Sequence, residues 1–312
     1  RNVIGVAVDA LHAAGVHATH FGFRNFPRES VVGELAKVLE TFFHAGISRR
    51  VCLWWNHSDV TSEEMAQLRR DAPAVNHAVF NWDATRGSFE LPEHRRCLYD
   101  VAFVSDKAPS VYTCPTFTAF PPVDFGVFKP LPHVPKLFDV SFACTNFYSD
   151  IPDQVVRRLE CVKALCEAED MSFALFGPEH LKREHPWCAA FHKGEIPYHV
   201  LPWLASASKV CLCTQGAGNV EGYMNERLCL LSASGACVVG DAAPGIASML
   251  GPSYCAQGTV ADIIHAARER VKLGGFTNIT DALCIRSAAR GLCESNLWAA
   301  NLIEVLLSVP CS

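Results

Sequence analysis

The sequence predicts an α/β protein made of two doubly wound, Rossmann-like domains that face each other across a cleft. Short apolar runs alternate with amphipathic segments in two series, a pattern typical of parallel sheets covered by helices on both faces. A proline-rich passage separates the two series, and a glycine-rich loop leads into a helix in the second series. A chain of 312 residues with 50% hydrophobic content is long enough for two such cores.

The first series opens with a helical pattern instead of a strand. Apolar residues recur at helical spacing over residues 3–14, Gly15 ends the pattern, and residues 16–21 alternate like a strand. A later helix is entered through Thr61 or Ser62 as its N-cap. The predicted elements after residue 21 are a helix over 30–45, a strand over 50–55, a helix over 62–71 and strands over 78–82 and 101–105. Because a doubly wound domain normally begins with a strand, we expect the first strand to lie upstream, in a larger multidomain chain.

The proline-rich passage marks the predicted domain boundary. Proline fixes φ and cannot donate a backbone hydrogen bond, so a run of prolines between residues 115 and 135 is typical of a connector. The predicted organisation is an N-terminal domain over residues 1–121, a linker over 122–136, a C-terminal domain over 137–290, and a C-terminal helix over 291–312 that packs back on the first domain. The elements predicted in the second series are strands over 138–143, 172–176, 209–213 and 238–240 and helices over 153–168, 201–207 and 259–273, followed by a helical segment over 280–309 with at least one break.

Composition excludes several classes of function. Charged residues make up 19% of the chain and the formal net charge is -5, which argues against a nucleic-acid partner. No apolar run of about 18 residues predicts a transmembrane segment, and no signal peptide is predicted. The 15 cysteines lack CxxC pairs and lie in apolar runs, so we expect buried, reduced thiols in an intracellular, cytoplasmic protein; a zinc site or a catalytic thiol is the alternative.

Residues 215–245 read as a glycine-rich loop, a helix, a glycine stop and a short buried strand. Gly216, Gly218 and Gly222 allow backbone amides to approach a ligand closely, or serve only as turn residues. The free N–H groups and positive dipole end of the following helix point back at the loop. Such a corner suits a phosphate group.

Polar residues flank the start of this helix. Arg227 is the best placed to bind a diphosphate, since a guanidinium matches phosphate oxygens in a bidentate fork. The alternative is that Arg227 does not bind a ligand and instead forms a surface ion pair with Glu226 or Glu221. Asn225 contacts the ligand or supports the start of the helix.

Three further candidates follow other strands of the second series. Lys193, in a tight turn, neutralises phosphate charge or is an ordinary exposed lysine. Thr145 follows the first strand of this series and contacts phosphate or caps a helix. Asp241 follows the strand over 238–240 and contacts a sugar or caps the next loop.

The first domain offers carboxylates and a histidine where its strands end. Asp83 and Asp106 would orient an acceptor hydroxyl or act as a base, and His57 is a weaker candidate base. Trp82 stacks on a sugar or belongs to the core. The 13 histidines show no HxxxH or HxH pair, so no dedicated metal site is predicted.

Six ordered segments resemble the CgeB-type (spore maturation protein-like) glycosyltransferases, which are group-1, GT4-like enzymes. The segments are DVAFVSD at 100–106, PVDFGVFKP at 122–130, FDVSFA at 138–143, FG at 176–177, HKGEIPY at 192–198 and NERLCLLSASG at 225–235. Each segment alone is weak, whereas their order and spacing together make the resemblance specific from about Ala78 onward.

The resemblance implies an enzyme with the GT-B fold. Such an enzyme would transfer a sugar from a nucleotide-sugar donor to a hydroxyl of a glycan or another acceptor. The resemblance also implies retention of anomeric configuration and no metal or cofactor. The donor would lie against the second domain, with Arg227, Lys193, Gly177 and Tyr198 among the binding residues, and the acceptor against the first.

One position departs from the family pattern. The carboxylate that usually holds the ribose hydroxyls falls on Leu230, and a hydrogen bond to a charged group contributes roughly 1.5–3 kcal/mol. Either Glu226 or Glu221 replaces it, or donor binding is altered or lost. Two alternative functions therefore stay open: a non-catalytic nucleotide- or carbohydrate-binding module derived from a transferase, and a sugar-nucleotide epimerase.

Overall fold

The computed structural model describes residues 3–19, 31–44, 50–55, 60–73, 75–81, 93–107, 111–145, 147, 154–215, 220–241, 244–251, 254–276 and 279–308. These residues form two parallel β-sheets flanked by helices, so the predicted α/β class is confirmed. The candidates His57, Asp83, Gly216 and Gly218 lie outside the described residues, as does Trp82.

The first sheet carries helices on both faces. Its parallel strands are, in spatial order, β1 (Arg50–Trp55), β2 (Val75–Asn81), β3 (Val101–Val104) and β4 (Thr116–Thr118). The helices of this half are α1 (Val3–Ala13), α2 (Val31–His44), α3 (Ser62–Asp71) and α4 (Glu93–Arg96). Successive side chains of a strand point to opposite faces. Val79 of β2 therefore packs with α2 and α3, while its neighbour Phe80 packs in the cluster that contains α1.

The second sheet is also parallel and is covered on both faces. Its strands are β5 (Phe138–Ala143), β6 (Phe173–Phe176), β7 (Ser208–Cys213), β8 (Val238–Asp241) and β9 (Cys255–Gln257). The remaining helices are α5 (Gln154–Glu167), α6 (His180–Glu184), α7 (Leu201–Ala207), α8 (Glu226–Ala233), α9 (Ile246–Leu250), α10 (Val260–Lys272), α11 (Ile279–Cys293) and α12 (Ser295–Ser308). Helices α5 and α10 pack on one face, and α7, α8 and α11 on the other. No helix within the described residues has the length and apolar character needed to cross a bilayer.

The strand order of the second sheet reverses beside β5. The order is β6-β5-β7-β8-β9, so the chain passes from β5 to one side and then crosses back to β7 on the other. Ligands of open parallel sheets bind outside the carboxyl ends of the strands at such a reversal. The described strands of the first sheet run in simple sequence order and contain no reversal. The fold therefore places the candidate site where β5 and β7 end.

Two segments cross between the two halves and pair with each other. The Val123 N–H donates to the Cys293 carbonyl at 2.7 Å, and the Ser295 N–H donates to the Val123 carbonyl at 3.0 Å. Beyond this crossing, Trp298 of α12 packs edge-on against Phe80 of β2, with ring centroids 5.6 Å apart. The final helix thus completes a core of the first sheet.

Local signals for helix ends are confirmed. Thr61 caps α3, because its hydroxyl accepts the Glu64 N–H at 3.2 Å while the Glu64 carboxylate accepts the Thr61 N–H at 2.7 Å. Helix α8 stops before Gly235, whose φ of +69° suits a glycine.

The strand predicted over residues 16–21 is wrong for its described part, residues 16–19. These residues fold back on the end of α1: the Val16 N–H donates to the Leu11 carbonyl at 2.9 Å, and the His12 imidazole bonds to the Ala18 carbonyl at 2.7 Å. Their backbone groups serve the last turn of a helix instead of a sheet ladder.

The cysteines whose side chains the structure describes are free thiols, and most are buried, with Cys97 and Cys284 exposed. Burial raises the pKa of Cys52 and of Cys161 to about 12, so both thiols stay protonated at neutral pH.

Within the described ranges, no three His, Cys, Asp or Glu side chains converge into a metal-binding group.

A buried histidine makes stability depend on pH. His77 of β2 is fully buried, its Nδ1 accepts the Trp54 indole N–H at 3.1 Å, and its ring stacks on that indole. Burial, followed by the positive charge of Arg69, lowers the pKa of His77 to about 4, against an opposing effect of Asp100. The ring is therefore neutral in the folded protein at pH 7.

We predict that the free energy of unfolding decreases as pH falls from about 6.5 to 4, because the unfolded chain binds a proton on His77 before the folded protein does. The loss attributable to this group is about 3 kcal/mol. Urea denaturation at several pH values measures it. His77→Asn keeps an acceptor for Trp54 and cannot titrate, so its stability should depend less on pH. Equal pH dependence in the two proteins would contradict the prediction.

Candidate functional site

Asn225 fixes the start of α8 beside the end of β7. Its side-chain oxygen accepts the Leu228 N–H at 2.9 Å and so caps the helix, while its amide nitrogen donates to the Thr214 carbonyl at 3.0 Å. Its backbone N–H donates to the Gln215 side-chain oxygen at 3.0 Å. These bonds correspond to the helix-supporting role of Asn225. They aim the N-terminus of α8 at the edge where β5 and β7 end.

Arg227 lies in the first turn of α8, over an aromatic ring. Its guanidinium carbon is 5.4 Å from the centroid of Phe142, a residue of β5. Among the described residues neither Glu221 nor Glu226 forms an ion pair with it, so the surface pairing considered from the sequence is not observed. An aromatic face orients a guanidinium without neutralising its charge.

Glu226 instead lies close to Tyr198. Burial raises the pKa of the Tyr198 phenol well above its usual range, and the negative charge of Glu226 adds to the shift. The Tyr198 ring packs edge-on against Phe128, with centroids 5.2 Å apart. Glu226, which the sequence offered as a replacement for the ribose-binding acid, therefore interacts with the Tyr198 phenol at the start of α8.

Two arginines of α5 reach the same edge of the second sheet, and the sequence reasoning missed both. Arg158 is 4% exposed, and its Nε donates to the Thr214 hydroxyl at 2.8 Å. The Nε of Arg157 lies 3.6 Å from Asp241, whose other oxygen accepts the Gln215 N–H at 2.9 Å. The available signal was the adjacent arginine pair at the start of the helix after β5, which amphipathic periodicity alone does not reveal.

Asp241 is buried at the end of β8, and its carboxylate is not exposed to solvent. It is 2% exposed, and burial raises its pKa while the charge of Arg157 opposes the shift. Its hydrogen bond to Gln215 and its ion pair with Arg157 join the ends of β7 and β8 to α5. A contact between Asp241 and a sugar stays a prediction.

Positive charge is concentrated at the ends of β5 and β7. Burial raises the pKa of Cys144 and of Cys213 to about 11, and the charges of Arg227 and Arg158 oppose the shift at both thiols. Cys144 directly follows β5 and Cys213 ends β7. Two guanidinium groups from different helices therefore act on the same corner, which suits an anionic ligand.

The loop before α8 contacts the first half of the molecule. The Lys107 N–H donates to the Glu221 carbonyl at 2.8 Å, and the Met224 N–H donates to the Ser105 carbonyl at 3.3 Å. Gly222 has a φ of +68°, and a Cβ on it would lie 2.8 Å from Cγ of Lys107. Gly222 therefore permits a close approach between the halves, which is a structural use of this glycine.

Asp106 lies at this contact, just after β3. It is 2% exposed, and its backbone carbonyl accepts the Thr118 hydroxyl at 3.1 Å. Burial raises the pKa of Tyr112, and the charge of Asp106 adds to the shift. A role of Asp106 toward an acceptor stays a prediction.

Gly177, Lys193 and Thr145 lie at the ends of β5 and β6. A Cβ on Gly177 would lie 2.4 Å from the Cys144 carbonyl oxygen, so only glycine fits there. The Gly177 N–H donates to the Gly194 carbonyl at 3.0 Å, which places the exposed Lys193 beside the end of β6. Thr145 is exposed just past β5.

Leu230 belongs to the hydrophobic core. It is 2% exposed and lies in the cluster that contains α7, α8, α11 and the linker. A leucine suits this position because it is dry and apolar, whereas an unpaired carboxylate there would be costly. The departure from the family pattern is thus accommodated by packing.

No protein-family model and no curated protein sequence matches the chain. Its fold, however, is the GT-B fold of glycosyltransferases, with two parallel α/β halves joined by a linker and by a returning C-terminal helix. The predicted fold class is therefore confirmed.

Solved glycosyltransferase structures match nearly the whole chain. HepE of Anabaena in complex with UDP-glucose superposes with a TM-score of 0.64 at 12% identity, over 96% of this chain and 88% of HepE. The trehalose-6-phosphate synthase OtsA has a TM-score of 0.61 at 11% identity, over 98% of this chain and 85% of OtsA. AviGT4, a glycosyltransferase of avilamycin A biosynthesis, has a TM-score of 0.59 at 14% identity, over 98% of this chain and 88% of AviGT4. At these identities the likeness is one of fold.

We predict that Asn225→Ala lowers the free energy of unfolding by about 1–2 kcal/mol, because it removes the cap of α8 and the bond to Thr214. Chemical denaturation monitored by circular dichroism measures the change. Asn225→Ser keeps a capping oxygen and should recover part of the stability. An alanine variant as stable as the wild type would show that other contacts hold the start of α8.

Proposed function

We propose that this chain is a glycosyltransferase that moves a sugar from a nucleotide-sugar donor to an acceptor hydroxyl. The observation that carries the proposal is the position of the positively charged corner. It lies at the strand-order reversal of a GT-B fold, where an open parallel sheet binds its ligand.

The donor diphosphate would bind at the N-terminus of α8. The helix dipole and the guanidinium of Arg227 face this edge, and Arg227 has no carboxylate partner among the described residues to compete with a phosphate. Lys193 beside β6 and Arg158 of α5 add positive charge. Departure of the nucleoside diphosphate leaves growing negative charge, which these fixed groups would stabilise more in the transition state than in the ground state.

A UDP-sugar is the donor to test first. HepE was solved with UDP and with UDP-glucose, and the pneumococcal O-GlcNAc transferase GtfA was solved with UDP and GlcNAc. The six ordered segments of the sequence support membership of the CgeB-type, GT4-like family, and with it transfer with retention.

The acceptor would bind against the first half, near the ends of β2 and β3. Asp106 lies at this edge, and His57 and Asp83 are the other candidates for orienting or deprotonating the acceptor hydroxyl. Glycans and other hydroxyl compounds are the proposed acceptor class.

A non-catalytic nucleotide- or carbohydrate-binding module is the second candidate function. The burial of Leu230 favours it, because the acid that holds the ribose in related enzymes has no counterpart at this position. Hydrolysis of the donor distinguishes the two: a transferase releases UDP slowly from a UDP-sugar, whereas a binding module does not.

We predict that calorimetric titration with UDP, GDP, TDP and ADP detects binding of at least one nucleotide. Arg227→Met should weaken that binding by about tenfold or more, because it removes a charge-assisted hydrogen bond to phosphate. Arg268→Met is the control variant. It removes an ion pair with Asp170, which lies before β6 and so at the amino ends of the strands, and it should leave nucleotide binding unchanged. Absence of binding to all four nucleotides would count against the proposed function.

We also propose that transfer requires no metal ion, since fixed cations of the protein would stabilise the leaving group. Activity should then persist in excess EDTA, with less than about a twofold change in kcat/KM, which corresponds to about 0.4 kcal/mol in the barrier. Loss of activity in EDTA with recovery on adding Mg²⁺ or Mn²⁺ would contradict this prediction.

A further inference from the structure

Arg286 of α11 inserts its guanidinium between the interdomain linker and α8. Nη1 donates to the Phe128 carbonyl at 2.6 Å and also to the Ala233 carbonyl, while Nη2 donates to the Phe125 carbonyl at 2.9 Å. The guanidinium carbon lies 4.9 Å from the centroid of the Phe125 ring. One side chain therefore contacts two residues of the linker and the last residue of α8.

The environment of Arg286 is unusual for a cation. Its three acceptors are neutral backbone carbonyls, and no ion pair joins it to a carboxylate within the described part of the chain. Burial lowers its pKa, and the charge of Arg290 one turn along α11 adds to the shift. The guanidinium stays charged even so, because arginine does not lose its proton in proteins. Its position at the C-terminus of α8 satisfies a free carbonyl and complements the helix dipole.

A second contact holds the linker on the same end of α8. A Cβ on Gly235 would lie 2.8 Å from Cγ of Pro130, so the backbone two residues past α8 touches the linker directly. The Leu131 N–H also donates to the Ser206 hydroxyl at 2.9 Å, which joins the linker to α7. Any shift of the linker is therefore transmitted to the C-terminus of α8.

Helix α8 is short and rigidly packed, so its two ends move together. All of its residues from Leu228 to Ala233 are buried. Its N-terminus carries Asn225 and Arg227, while its C-terminus carries the Ala233 carbonyl that Arg286 binds. A displacement at the Arg286 end would therefore reach the proposed diphosphate contacts.

We propose that Arg286 is a positioning residue that couples the interdomain linker to α8 and sets the position of the helix N-terminus toward the diphosphate. This role rests on the proposed function. Arg286 would touch neither donor nor acceptor and would act through α8 alone.

The test compares UDP and UMP affinities of Arg286→Met and Arg286→Lys, by calorimetry at a temperature where circular dichroism shows each variant folded. Arg286→Met should bind UDP about tenfold more weakly, with a smaller change for UMP, because a displaced α8 holds the second phosphate less well and UMP does not have that phosphate. Arg286→Lys keeps the charge but not the fork, so its UDP affinity should be intermediate. Arg290→Met, on the same helix and exposed, is the matched control and should bind as the wild type does.

The possible results separate this inference from the proposed function. Wild-type protein that binds none of UDP, GDP, TDP and ADP would remove the proposed function and this inference with it. Wild-type binding of UDP with unchanged UDP affinity in a folded Arg286 variant would overturn the positioning role alone. Equally weakened binding of UDP and UMP would also overturn it, since that result indicates general loosening. If the methionine variant does not fold, the lysine variant decides by the same criteria.

Discussion

The hydrogen bonds of the Asn225 side chain determine how the candidate site is built. A single amide caps α8 through its oxygen and binds the end of β7 through its nitrogen. Together with the bond from the Asn225 N–H to the Gln215 side chain, this connection directs the free N–H groups of the first turn to the edge of the sheet. The placement of Arg227 over Phe142 follows from the same connection, because Arg227 lies two residues further along the helix.

A second feature is common to three arginines of the C-terminal half. Arg227 lies on an aromatic face, Arg158 donates to Thr214, and Arg286 donates to backbone carbonyls. Neutral partners orient the guanidinium groups of Arg227 and Arg286 without cancelling their charge. Burial raises the pKa of the Asp241 carboxylate, and the charge of Arg158 also acts on this group and lowers its pKa. Arg157 differs, since it lies beside the buried Asp241. The positive charge near the ends of β5 and β7 therefore comes from Arg227 and Arg158, in a protein whose overall charge is negative.

The core position of Leu230 and the proposed transferase activity are compatible on physical grounds. In the proposed function, diphosphate contacts would come from the N-terminus of α8 and cationic groups, while the resemblance to GT4-like enzymes implies ribose contacts from a carboxylate further along the helix. These two sets of contacts would contribute separately to donor binding, so the absence of one would weaken the nucleoside part and leave the phosphate part in place. Glu226, the first residue of α8, carries an acid at the start of the helix, where it interacts with Tyr198.

Features that depend on neighbours along the chain could be predicted from the residues alone. Alternation of strands and helices, the capping box at Thr61 and the glycine that ends α8 all follow from contacts within a few residues, and the structure agrees with each. The strand mistakenly predicted at residues 16–19 shows the limit of this reasoning, because their backbone groups bond to the end of α1. Three features depend on tertiary contacts and could not be predicted: the strand order beside β5, the contact of Arg158 with Thr214 and the insertion of Arg286 under the linker. The physical reason is distance along the chain: these contacts join residues more than 50 positions apart, and local periodicity carries no information about which distant segments pair.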